Sequence, residues 1–276
     1  MIRALLAEWT KIRTQPGTGW LLLGTVAVTV AVSAATSAAL SCSSSAACHP
    51  DITQLSLTGT DLGQAVVAVI AVLAVTGEYA TGMIRTTLAA VPRRIVMLTA
   101  KATVVTTLAL AVGTVAVLGS LLAGRLILPG QGYTPAHGYP DLSLVDATVL
   151  RATAGTVLYL ALIALLSLGV ATAVRDAAAA IGSVLGLLYL FPLLGMAISS
   201  PDWHRHLQQI APMTAGLEIQ ASTDPNTLPI SPWAGLGVVA AWAAGALLAG
   251  GLCSASATRE RQTSPSSSRP MPRAEV

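Results

Sequence analysis

Charge is what this chain of 276 residues has least of. Only 10% of its residues are Asp, Glu, Lys or Arg, against about a quarter in an ordinary soluble domain. Phenylalanine occurs once, cysteine three times, and aromatic residues make up 4% of the chain. There are two lysines, Lys11 and Lys101, and neither follows a glycine, so no G-x-x-x-x-G-K-S/T phosphate loop can form. No H-E-x-x-H pair and no G-x-S-x-G elbow occurs either, which removes the common zinc-protease and serine-hydrolase signatures. The sequence carries no catalytic constellation and calls for no metal or bound cofactor of its own, nor for a nucleic-acid partner. His204 and His206 stand two apart in a polar loop, too few ligands for a metal site.

What fills the chain is aliphatic: 54% of residues are hydrophobic. Ala, Val, Leu and Gly dominate, a composition suited to close-packed helices in a bilayer. Charge-free stretches of about 20 residues are long enough to cross one. The expected fold is all-α, an integral membrane protein of six spans, at about 20–40, 61–77, 102–123, 150–174, 177–198 and 233–253. Residues 1–18 form a preceding interfacial segment, 19–253 the six-span domain, and 254–276 a Ser/Pro/Arg-rich tail expected to be disordered. Of the fifteen cations, only Arg125, Arg151 and Arg205 fall between spans on the side opposite the N-terminus. The positive-inside rule therefore puts both termini in the cytoplasm.

Residues 1–14 place Ile2, Leu5, Leu6, Trp9 and Ile12 on one helical face and turn Glu8, Lys11 and Arg13 away from it. That is the pattern of a helix lying in the headgroup layer, with Trp9 at the interface and Lys11 and Arg13 toward water. Cys42 and Cys48 lie in the first outer loop, close enough to close a small disulfide ring in an oxidising compartment; two free thiols fit the spacing as well. Asp61 and Gln64 fall near the outer boundary of the second span. The spans themselves show no ionisable residue at depth, as an ion-coupled carrier would need. In the fifth span Gly182 and Gly186 make a small-xxx-small pair that lets another helix approach closely, and Pro192 should kink the helix. The stretch 207–221 reads as short helices dipping into the outer interface.

One polar, basic interruption organises the rest: GEYATGMIRTTLAAVPRRIVMLTAK, from Gly77 to Lys101. It opens with Glu78 and contains Met83, Ile84, Thr87, Leu88 and Val91 at spacings of three and four. Pro92 then stops the helix, and Arg85, Arg93, Arg94 and Lys101 supply cations. Spacing alone fits either a docking helix or a basic turn that fixes orientation.

This stretch, AEWTKIRTQPGTGWLLL before the first span, and Ser231-Pro232-Trp233-Ala234-Gly235 at the entry to the last give the chain its resemblance. It resembles the permease subunit of an actinobacterial-type type-2 ATP-binding-cassette (ABC) exporter, over nearly the whole chain up to about Cys253. The resemblance implies a coupling helix around 81–91 docking on a separate ABC ATPase subunit. Glu78 and Gly82, followed by Pro92, Arg93 and Lys101, match the family's E-x-x-x-G…P-R…K pattern. The expected ATPase-coupling residues are Glu78, Gly82, Met83, Ile84, Arg85, Thr87, Leu88, Pro92, Arg93 and Arg94. It also implies a second permease subunit, the same or a related chain, an outer loop at 199–232 narrowing the exit, and ATP and Mg held by the ATPase. The chain would then be no enzyme by itself but a multi-pass transport and efflux protein of a bacterial plasma membrane. A membrane-anchoring or sensory partner that transports nothing is the alternative.

Overall fold

The computed structural model describes residues 10, 16–41, 50–80, 94–134, 139, 142–197, 200–223 and 228–263. Among them the chain is all-helical and has no strand. The long helices are α1 (Pro16–Ala39), α3 (Thr60–Ala80), α4 (Arg94–Ile127), α5 (Ala147–Val174), α6 (Ala177–Ala197) and α9 (Pro232–Thr263). Each of the six contains a stretch long and apolar enough to cross a membrane. Three short helices stand between them: α2 (Ile52–Ser56), α7 (Pro201–Ile210) and α8 (Pro212–Leu217). Below, the end of the bundle where α1 begins is the near end and the opposite one the far end.

The expected spans match these helices closely, with one departure. The third span was expected to begin near residue 102, but α4 starts at Arg94 and runs for 34 residues. Pro92 lies just before it, and a proline there costs no helical hydrogen bond, so nothing in 94–101 interrupts the helix. Lys101 is thereby carried about two turns into α4 and is only 5% exposed. Lys101 is thus a buried cation in the first turns of this helix, not part of the polar stretch before it. Its Nζ donates to Ala74 O of α3 at 3.1 Å. The last helix also runs on past Cys253 to Thr263; residues 264–276 of the expected tail lie outside the described residues.

Helix α5 is the centre. It packs against α9, α4, α3 and α6, and its buried residues include Tyr159, Leu160, Ile163, Leu166 and Leu168. It ends at Arg175, which takes a left-handed φ of 63°, and Asp176 caps α6 by accepting the Ala179 N–H at 2.8 Å. The turn between α5 and α6 is thus only two residues long.

Helices come closest where glycine removes a side chain. A Cβ at Gly169 of α5 would lie 2.6 Å from Ala246 C and Leu247 N of α9, and one at Gly250 of α9 would lie 2.8 Å from Gly169 O. At the far end, Thr25, Thr29, Ser33 and Ser37 recur every four residues along α1 and are all buried. Gly59 and Gly63 press on this hydroxyl stripe, and Ser33 Oγ accepts the Gly59 N–H at 3.0 Å. Thr25 and Thr29 donate back to their own helix, which satisfies the hydroxyls without a partner helix. The Gly182/Gly186 pair behaves differently: both residues are exposed, and a Cβ at either meets nothing within 4 Å. The small-residue seams inside this chain are elsewhere.

Candidate functional site

The chain between α6 and α9 meets the loop at Asp51, far away in sequence, at the far end of the bundle. α7, α8 and a 3-10 turn at Glu218–Gln220 make a cap between α6 and α9, with Ala211, Ala215 and Ile219 buried beneath it. The apolar content of 207–221 led to the expectation of short helices there; α8 and the 3-10 turn fall in that range, while α7 begins earlier, at Pro201. Trp242 of α9 holds the end of α7 by donating from Nε1 to Ile210 O at 2.9 Å. Gln209 Nε2 donates to Pro229 O at 2.8 Å, tying α7 to the chain that leads into α9.

Asp51 fastens the cap to the first far-end loop. Its Oδ1 accepts the N–H groups of Thr53 and Gln54 at 3.0 and 3.2 Å, capping α2. The same carboxylate accepts the Ser222 hydroxyl at 2.6 Å, the Thr223 N–H at 2.9 Å, and the Ser222 N–H. Burial would raise the pKa of Asp51, but the hydrogen bonds from Ser222, Thr223 and Gln54 outweigh it and hold the carboxyl below its ordinary value of 3.8. One residue earlier, in the strap formed by 221–223, Ala221 O accepts from the Arg151 guanidinium of α5. Glu218, which opens the 3-10 turn, has its pKa raised by burial.

Below the cap lies a buried polar network. Tyr159 of α5 donates to Gln64 Oε1, Gln64 Nε2 donates to Asp61 O at 3.2 Å, and Tyr189 of α6 donates to the same carbonyl. Tyr159 and Gln64 are fully buried. Asp61 and Gln64 were expected near the outer boundary of their span, and they do lie in the first two turns of α3. The partners Tyr159 and Tyr189 carry no sequence signal that would have singled them out.

At the near end the picture is set by what flanks the organising stretch. Glu78 lies in the last turn of α3 and Arg94 opens α4, but neither side chain is among those described. Gly82, Met83, Ile84, Arg85, Thr87, Leu88, Pro92 and Arg93 lie outside the described residues, as do Trp9, Lys11, Arg13, Cys42 and Cys48. His206 is exposed, and among the described residues no three His, Cys, Asp or Glu side chains gather to hold a metal. No protein-family model matches the chain, and no curated protein matches it.

Proposed function

We propose that this chain is the membrane-spanning permease subunit of an ABC exporter, working beside a second permease subunit and a separate ATPase in a bacterial plasma membrane. ATP and Mg belong to the ATPase, and this chain contributes the pathway wall and the coupling stretch 78–94. The observation that carries the reading is how α3 and α4 are held on either side of 81–93. α3 ends at Ala80, α4 begins at Arg94, and the Lys101–Ala74 bond joins the two helices about two turns inside the bundle. A push on the connecting stretch would therefore move both helices together, and both pack on the central α5. Such a movement does work only if the docked stretch favours one state of the bundle over another. The far-end cap, at the position the resemblance gives to an exit-narrowing loop, fits the same reading.

Replacing Arg85, Arg93 and Arg94 with Glu tests it. The expected variant inserts in the membrane normally but no longer alters ATP hydrolysis by its partner. Unchanged permease-dependent hydrolysis would count against coupling through this stretch.

A further inference from the structure

The near half of the bundle contains a cavity of about 340 Å³ that the proposed function does not use. Its walls come from α1 (Gly17, Leu21, Leu22, Thr25), α3, α4 and α5. The lining includes four small side chains, Ala71 and Ala74 on α3, Ala109 on α4 and Ala164 on α5. Thr25 is the one hydroxyl among the described lining residues, and it donates to Leu21 O at 2.9 Å. The other described lining side chains are apolar, and a cavity of this size lies within the range of pockets that hold small organic ligands, about 300–1,000 Å³.

The cavity lies on the near side of the closest contacts that α1 makes. At the far end Gly59 and Gly63 let the chain close on Thr29 and Ser33 until no room remains for a Cβ. Toward the near end, Gly17 of α1, which lines the cavity, has nothing within 4 Å of where a Cβ would stand. The result is a wedge, closed at the far end and open toward the near one. Its rim is formed by Leu21 of α1 and Leu73 of α3, which line the cavity while remaining 36% and 39% exposed. Both residues lie within helical stretches apolar enough to cross a membrane, so the rim opens sideways onto lipid.

We infer that this wedge admits one acyl chain of a phospholipid from the surrounding bilayer. An alkyl chain matches the apolar walls, needs no hydrogen bond from them, and can enter through the Leu21/Leu73 rim while its headgroup stays in the interface. The inference goes beyond the permease reading and does not depend on it; a failure of ATPase coupling would leave it standing.

The test uses the full chain in phosphatidylcholine vesicles containing a phosphatidylcholine with a diazirine at the end of one acyl chain. Lipid that only surrounds the protein labels Leu21, Leu73 and the exposed Leu190 and Leu193 of α6. Only a chain inside the wedge reaches the buried Ala71, Ala109 and Ala164. The expected result is label at these three after illumination and peptide mapping. It should be lost in Ala109→Phe and in Ala71→Leu, while label on Leu190 and Leu193 persists as the sign that the bundle is intact. Absence of label at the three alanines would overturn the inference, as would label there that both filled variants retain. Label that emerges only when residues 1–15 are deleted would overturn it too, since the chain's own N-terminal segment would then be the occupant.

Discussion

At Asp51 one carboxylate joins two far-end loops 171 residues apart, accepting both backbone and hydroxyl donors from Ser222 and Thr223. Asp51→Ala would leave those donors unpaired and uncap α2, a loss of about 1–2 kcal/mol for a half-exposed group. We expect faster cleavage of the 221–223 strap by an added protease, with the six long helices unaffected. Because the pKa of Asp51 is lowered in the folded chain, its contribution is present above its ordinary value of 3.8 and is lost as pH falls through and below it. Glu218 works the other way: with its pKa raised by burial, its carboxylate form is the costly one, so its share of stability is fullest below 4.5 and is lost as pH rises through its higher folded value. Protease susceptibility of the strap should therefore rise below about pH 4 in the native chain, and Asp51→Asn should flatten that rise. A rise of equal size in Asp51→Asn would assign it to other groups. At Gly169, where α5 and α9 touch backbone to backbone, Gly169→Val should lower stability by about 1–3 kcal/mol. Gly182→Val, with open space around it, should leave thermal unfolding in detergent nearly unchanged.

Among the elements, the long helices were legible and their meeting points were not. A charge-free run such as Trp20 to Leu40 announces a span by length alone, and five of the six expected starts fall within a few residues of the observed ones. The third start was missed because Arg93, Arg94 and Lys101 read as one basic segment in water, whereas helix hydrogen bonding continues through the last two and buries Lys101 against Ala74. Packing seams within the chain were not legible from spacing. The Gly182/Gly186 spacing is the familiar signature, yet the tight contacts use single glycines such as Gly63 and Gly169 opposite hydroxyls or backbone, for which no fixed spacing exists. Lys101→Leu should separate these effects. It removes the bond to Ala74 O while keeping an apolar fill, so α3 and α4 should stay helical by circular dichroism while the 81–93 connection becomes more open to protease. An unaltered cleavage rate would show that the bond does not brace the connection.

For the whole molecule, the six long apolar helices among the described residues, with α5 central to them, give the build of a multi-pass membrane protein. The Asp51 strap and the Tyr159–Gln64–Asp61–Tyr189 network could not be read beforehand, because each joins positions more than 90 residues apart that share no periodic pattern. Orientation rests on the cation count, and single cysteines test it in a chain whose Cys42, Cys48 and Cys253 are replaced by Ser. A membrane-impermeant maleimide added to intact cells should label Ser143→Cys and leave Thr86→Cys unlabelled; the reverse pattern would invert the topology. The role assigned to the stretch between α3 and α4 has a more direct test. The native chain and one with residues 81–91 replaced by Gly and Ser are solubilised and captured from their own membranes, and the bound proteins are assayed for ATP binding. Recovery of an ATP-binding subunit with the native chain only is the result the permease reading predicts. If neither chain brings one down, the proposed transporter has no energy source, and a membrane-anchoring or sensory role takes its place.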